Sequence, residues 1–325
     1  MENFIHLLHS VQQSYQKCVL ATIIHIDGSA YLREGNSMLI MENGECIGIL
    51  SPGCLEEDLV LRSKEVLLSQ TPQTISYDLR STDDLGWGQG IGCNGIMRIL
   101  LEPITENYKH DLHSLLVSLE NGHSVIRVKE FSDDFILKNS TFYFPHQLEY
   151  KEMMENIFPE TSRLILLDNV YKSIHIYKPS PVLVVFGAGE DAKPLVSIAL
   201  NIGFKVLLCD WRPGYCNEQH IPSANQYIIG SPKVILDSID FSNQHYVVIM
   251  SHSFIKDQEF LTSILKKDVH YVGVMGSKKR TQQLLGEVKF PSNLFSPIGL
   301  SIGAQGPNEI AVSIMAEIVQ KFRES

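Results

Sequence analysis

Five glycines crowd around one cysteine between Gly86 and Gly95, in the run GWGQGIGCNG, and that thiol, Cys93, has the setting that points most directly to chemistry. A stretch with so few side chains gives up packing and gains backbone freedom, including access to positive φ. Successive N–H groups in such a loop can converge into an anion-binding concavity, and a thiol among them is drawn toward the thiolate. The alternative is a glycine-rich connection between two strands with a buried, inert cysteine. A second thiol, Cys54, follows Gly53 in Ser51-Pro52-Gly53-Cys54-Leu55-Glu56 and stands at or near the start of a helical pattern, where the partial positive charge of the helix terminus lowers a thiol pKa.

A third constellation lies in the second half. Gly187, Gly189 and Ala192 form a GxGxxA pattern between the apolar run Val182 to Phe186 and a helical pattern, and Asp210 follows Gly187 by 23 residues. That is close to the spacing at which a dinucleotide-binding unit places its ribose-binding acid. Glu190 and Asp191 stand where phosphate oxygens would approach, and two carboxylates there offset what the helix dipole offers an anion. His252 follows a strand pattern as a lone histidine, a residue that more often serves as a hydrogen-bonded structural group. Ser277-Lys278-Lys279-Arg280 combines a capping serine with three cations, which suits an anion or a solvated basic face. No GxSxG, HExxH or P-loop pattern occurs, which favours binding or transfer over self-contained hydrolysis. The six cysteines include no CxxC pair and do not form a disulfide or zinc-ribbon framework.

Periodicity predicts the elements that must hold these residues. Residues 4–16 read as a helix with Phe4, Leu7, Leu8 and Val11 on one side. Val19 to His25 reads as a buried strand ending in a turn at Asp27-Gly28-Ser29-Ala30. Ser37 to Met41 is a second strand, with Asn43-Gly44 as a hairpin turn and Glu45 to Leu50 as its return. A helix begins after Cys54, and strands are expected at 74–79 and at Ile96 to Leu101, on either side of the glycine run. A helix near His110 to Leu119 and strands near Ser124 to Lys129 and Thr141 to Phe144 follow. Pro179-Ser180-Pro181 marks a domain boundary, giving domains 1–178 and 179–325. Beyond it strands and helices alternate regularly. The expected class is α/β, with an N-terminal mixed α/β domain and a C-terminal Rossmann-like, doubly wound parallel sheet. The last helix opens at Pro307 and carries a broad apolar face from Ile310 to Phe322.

Composition bounds the possibilities. The chain has 325 residues, 44% hydrophobic and 20% charged, which is globular and long enough for two domains. Residues 1–178 hold 14 Lys+Arg against 24 Asp+Glu, a balance of −10, whereas 179–325 hold 13 of each. This excludes a broad basic footprint for duplex nucleic acid and leaves local amides as the means of holding an anion. Met1 to Ser10 lacks a basic leader pattern, and no run reaches the roughly 18 apolar residues of a membrane helix. A cytoplasmic protein without membrane or nucleic-acid partners is expected.

Gly28-Ser29-Ala30 with Arg33 and Gly35, Gly53-Cys54-Leu55-Glu56, and Gly92-Cys93-Asn94-Gly95 ahead of Glu102-Pro103 resemble the N-terminal domain of the XdhC/CoxI family. Gly187-Ala188-Gly189, Asp210 with Arg212, Ser251-His252, Gly273 to Ser277, Pro297 to Leu300 and Pro307 to Ile310 resemble its C-terminal Rossmann domain. Pro52, Glu190, Asn94 and Ser253 differ from the residues common at those places. The resemblance implies an accessory protein of molybdenum hydroxylases such as xanthine dehydrogenase, more a maturation chaperone than an enzyme. It would bind the molybdenum cofactor (molybdopterin), support its sulfuration with a cysteine desulfurase, and insert it into the apo-enzyme. Cys93 and then Cys54 are the implied metal contacts, with Arg33, Gly92, Gly95 and Gly53 around the cofactor, and a homodimer is implied. The competing reading is an NAD(P)-dependent oxidoreductase using Gly187, Gly189 and Asp210.

Overall fold

Apolar residues at 7, 8 and 11 place one stripe on the opening helix α1 (Glu2–Gln13), and all three are buried. The computed structural model describes residues 2–53, 55–80, 94–156, 163–167 and 170–324, and the chain divides into two compact units, Asn3–Pro179 and Ser180–Ser325. In the first unit β1 (Cys18–Ser29), β2 (Ser37–Met41), β3 (Cys46–Ile47), α2 (Glu56–Ser69), β4 (Gln73–Asp78), β5 (Asn94–Pro103) and α3 (Glu106–Glu120) follow α1. Then come β6 (Val125–Phe131), β7 (Leu137–Tyr143), α4 (Leu148–Asn156), β8 (Arg163–Leu167) and β9 (Val170–Tyr177). Two antiparallel sheets result, ordered β3-β2-β1-β5-β4 and β7-β6-β9-β8.

Cys18 to Ile24 of β1 are buried without alternation because both faces of this central strand are covered. The expected turn at Asp27 to Ala30 is instead strand through Ser29. Asp27, Gly28 and Ser29 pair with Ile96, Gly95 and Asn94 of β5, which extends the ladder past the turn residues. Gly95 permits this: a Cβ there would lie 2.5 Å from the Asp27 carbonyl oxygen. The expected return strand from Glu45 to Leu50 shortens to Cys46–Ile47.

The second unit alternates β10 (Val182–Phe186), α5 (Ala192–Asn201), β11 (Lys205–Asp210), β12 (Gln226–Ile229), α6 (Pro232–Ser238), β13 (His245–Ile249) and α7 (Phe254–Ile264). It closes with β14 (Tyr271–Val274), α8 (Lys278–Leu285), β15 (Leu294–Phe295) and α9 (Gly306–Glu324). Its sheet is parallel in the order β12-β11-β10-β13-β14-β15, the doubly wound order that reverses between β10 and β13. One face packs on α5 and α9, the other on α6, α7 and α8. The broad apolar face of α9 is used inside the unit: Ala311, Ile314, Met315 and Ile318 are buried in its own core and Ile310 and Phe322 pack against it. No helix among the described residues is long and apolar enough to cross a membrane.

Candidate functional site

Cys93, Gly92 and Cys54 lie outside the described residues, so the structure speaks to what flanks them. The chain leaves β4 at Asp78 and re-enters the sheet at Asn94, and the Leu79 N–H donates to the Gly95 carbonyl at 2.8 Å. Leu79, before the glycine run, and Gly95, its last residue, thus meet at the end of the β4–β5 ladder. Gly95 itself has a packing reason, the close approach of β1 described above. Gly53 is exposed with φ +108°, and nothing lies within 4 Å of where a Cβ would stand. Conformation, not crowding, requires glycine there.

Arg33 is exposed and forms no ion pair among the described residues. The loop that carries it is held by its neighbour Glu34, whose Oε1 accepts from the Ile26 N–H at 2.9 Å and lies 3.0 Å from His25 Nδ1. Leu32 beside Arg33, Leu55 beside Cys54, and Met97 and Leu79 near the ends of the glycine run all belong to one hydrophobic cluster. Three stretches far apart in sequence therefore share one core. Among the described thiols, burial pushes Cys18 and Cys216 up to about 11 and Cys209 well above its ordinary value, while burial and the carboxylates of Glu56 and Glu45 raise Cys46. None of these four is an activated nucleophile.

In the second unit Gly187 has φ +114° and a Cβ there would lie 2.5 Å from Ser251 Cα, so the loops after β10 and β13 touch backbone to backbone. Asp210 is fully buried. Its carboxylate accepts from the Ala188 N–H at 2.8 Å, the Arg212 N–H at 2.9 Å, and Arg212 Nε and Nη2 at 2.9 and 2.7 Å. Burial alone would raise this carboxyl, but the hydrogen bonds from Arg212 and Ala188 outweigh it and hold the group below its usual range. A ribose hydroxyl would have to displace one of these donors. Arg212 is itself held between the Trp211 and Tyr215 rings, at 4.7 and 4.2 Å.

Asp191 is the residue before α5, yet its side chain makes no capping bond. Its Oδ2 lies 2.6 Å from His252 Nε2 instead, and His252 adopts φ +61°. The Ala192 and Lys193 N–H groups bond back to Gly189 and Glu190 carbonyls at 3.1 and 3.4 Å, and Pro194 has none to offer. A Cβ at Gly189 would meet Asp191 Oδ1 at 2.7 Å. Where a dinucleotide fold presents amides to a pyrophosphate, this unit presents a carboxylate. Ser277 caps α8 by accepting from the Arg280 N–H at 3.2 Å, and Arg280 is committed to Asp257 at 2.6 Å and to the Met275 carbonyl at 3.2 Å.

Sequence reading missed a buried ionic cluster in the first unit. Glu102 accepts from Arg127 Nη2 at 2.7 Å and from Lys129 Nζ at 2.8 Å, and all three side chains are at most 5% exposed. A cavity of about 10 Å³ adjoins it, lined by Arg127, Lys129, Ser173 and His175 among others. The available signal was period-two alternation in β6, which puts Arg127 and Lys129 on the face of Val125 and Phe131. Among the described residues no group of three or more His, Cys, Asp or Glu could hold a metal.

Comparison with known proteins gives a consistent assignment. The model described as the XdhC and CoxI family matches residues 11–78, and the XdhC Rossmann domain matches 183–318. The chain is 37% identical over 324 residues, 98% of each chain, to a Bacillus subtilis (strain 168) protein named as a probable xanthine dehydrogenase subunit. A crystal structure described as a xanthine dehydrogenase from Bacillus halodurans is 40% identical with a TM-score of 0.87, over 98% of this chain and 96% of that one. An uncharacterized protein YqeB of Escherichia coli (strain K12) is 27% identical over 160 residues, 47% of this chain and 29% of that protein. Two family matches, one in each unit, and an end-to-end relative make the chain a member of the XdhC and CoxI family.

Proposed function

We propose that this protein is a cytoplasmic accessory factor that binds the molybdenum cofactor, supports its sulfuration and inserts it into a xanthine dehydrogenase type molybdenum hydroxylase. The observation that supports the reading is the single core shared by Leu32, Leu55, Leu79 and Met97, residues that neighbour Arg33, Cys54 and the glycine run along the chain. The names of the end-to-end relatives supply the client class. The donor chemistry fits: Cys93, and second Cys54, offer soft thiolates to molybdenum, and Arg33 with amides around Gly92 and Gly53 offers donors to the pterin phosphate. When bound, the cofactor supplies the metal whose oxo ligand is exchanged for sulfido. A cysteine desulfurase would bring the sulfur, and a homodimer is the proposed assembly, through a surface other than the α9 face. Domain 1–178 would hold the cofactor and domain 179–325 would serve as scaffold.

The test mixes purified protein with released cofactor and assays molybdenum and pterin after gel filtration. Co-elution is expected, falling at least about tenfold in a Cys93→Ala, Cys54→Ala double variant. No co-elution, or co-elution unchanged in the double variant, overturns the reading. The nicotinamide reading is opposed by the committed Asp210 carboxylate and by Asp191 at the phosphate position. Calorimetric titration with NAD and NADP should stay silent to about 1 mM, and sub-millimolar binding would revive it.

A further inference from the structure

The ladder between β1 and β2 ends at Thr22 and Ser37, and past that point the loop from Arg33 to Asn36 lies along the same edge of β1. The Ile23 N–H donates to the Asn36 carbonyl at 2.9 Å, and the Gly35 N–H donates to the Ile23 carbonyl at 2.8 Å. On its other edge β1 carries a bulge: Ile23 pairs with Ile99 and His25 with the adjacent Arg98, so Ile24 is the extra residue. After the bulge the Ile26 N–H meets a side chain. Glu34 Oε1 accepts from it at 2.9 Å and stands 3.0 Å from His25 Nδ1, which bonds a carboxylate oxygen only when that nitrogen carries the proton. The Glu34 side chain is 19% exposed, so water makes up little of this bonding once the acceptor is removed.

Arg33 is set between two tethers. Its own carbonyl accepts from the Asn36 N–H at 3.3 Å and from Asn36 Nδ2 at 2.8 Å, and the residue that follows it, Glu34, is fastened to β1. Its guanidinium, by contrast, is exposed and makes no ion pair among the described residues. A firmly held backbone beneath a long unpaired cation lowers the cost of ordering the loop when an anion arrives.

We propose that Glu34 is a positioning residue: by fastening the loop to the bulged end of β1 it fixes how Arg33 meets the phosphate of the cofactor. This rests on the reading above, in which Arg33 is a phosphate contact. The position requires an acceptor of the right reach, not a charge. Glutamine keeps an oxygen that can take both N–H groups, whereas alanine removes it.

The experiment uses the full chain as wild type, Glu34→Gln, Glu34→Ala, Arg33→Ala, the double variant of Glu34→Ala with Arg33→Ala, Asn36→Ala and, as control, Glu42→Gln at an exposed carboxylate outside the loop. Two quantities are read: hydrogen exchange at the Ile26 and Gly35 amides, and the apparent Kd for released molybdenum cofactor, from molybdenum and pterin retained after gel filtration. In Glu34→Ala, exchange at Ile26 and the Kd each rise about tenfold, whereas Glu34→Gln stays within about threefold of wild type in both. Arg33→Ala raises the Kd about tenfold, and adding Glu34→Ala to it raises the Kd no further, because the group being positioned is gone. Asn36→Ala removes the other side-chain tether and moves the Kd the same way by less, which decides the matter if Glu34→Ala fails to fold. Glu42→Gln matches wild type in every readout. The proposal is overturned if the Glu34→Ala and Arg33→Ala effects multiply, which marks general loosening, or if Glu34→Gln loses as much as Glu34→Ala, which marks a charge effect. Unchanged exchange at Ile26, or wild-type binding by Arg33→Ala, overturns it as well. Should wild type itself retain no cofactor, the cofactor reading falls and the claim on Arg33 falls with it, while exchange still decides whether Glu34 holds the loop.

Discussion

His175 of β9, half-buried beside Lys129 and Arg127, shows how strongly single groups are coupled in the first unit. Burial first, and then the neighbouring Lys129 and Arg127 cations, push its imidazole down from 6.5 to about 3. Above pH 6.5 both folded and unfolded chains carry it neutral. As pH falls below 6.5 the unfolded chain takes up a proton that the folded chain refuses, so stability is lost progressively down to about pH 3. At pH 4 the loss from this one group is on the order of 3 kcal/mol. Urea unfolding at pH 7 and pH 4 should therefore show a steeper decline for wild type than for His175→Asn, and equal declines would refute the assignment. Lys129 is likewise pushed down to about 8, by burial and by Arg127, against the opposing pull of Glu102. Burial leads both shifts, and the neighbouring cations add to it.

At the scale of elements, glycines decide where strands and loops can meet. Gly187 and Gly53 both adopt positive φ, +114° and +108°, yet their surroundings differ. A Cβ at Gly187 would run into Ser251 backbone at 2.5 Å, whereas one at Gly53 meets nothing within 4 Å. Gly53→Ala should cost only the conformational strain, about 1–2 kcal/mol. Gly187→Ala adds a backbone clash between the β10 and β13 loops and should cost about 2–4 kcal/mol. Denaturant midpoints of the two variants measure the difference, and equal midpoints would show that crowding at the sheet's switch point is relieved without cost. The same two loops meet again through Asp191, whose Oδ2 lies 2.6 Å from His252 Nε2.

For the whole molecule, the second unit contains everything a domain needs. Its parallel sheet is covered on both faces by its own helices, and α9 completes one of the two cores. Residues 180–325 expressed alone should give a cooperative thermal transition by circular dichroism. Ile314→Asp in that fragment should abolish it, because Ile314 is a buried core residue and not part of an oligomer surface. A fragment without a transition, or an Ile314→Asp fragment that melts like its parent, would contradict this.

Sequence by itself determined the alternation after Pro181 and the glycine settings of Cys54 and Cys93, because periodicity and backbone freedom are local properties written in residue type. It also placed most elements, including the strand Ser37–Met41. Only tertiary structure decided the rest. Asp27 to Ser29 became strand because a distant partner, Asn94 to Ile96, supplied the ladder, and Gly95 let it come close enough. The apolar face of α9 was legible, but its occupant was not, since an amphipathic stripe does not record whether it meets its own sheet or another chain. Arg127, Lys129 and Glu102 are buried together by long-range packing, which no local pattern of charge records.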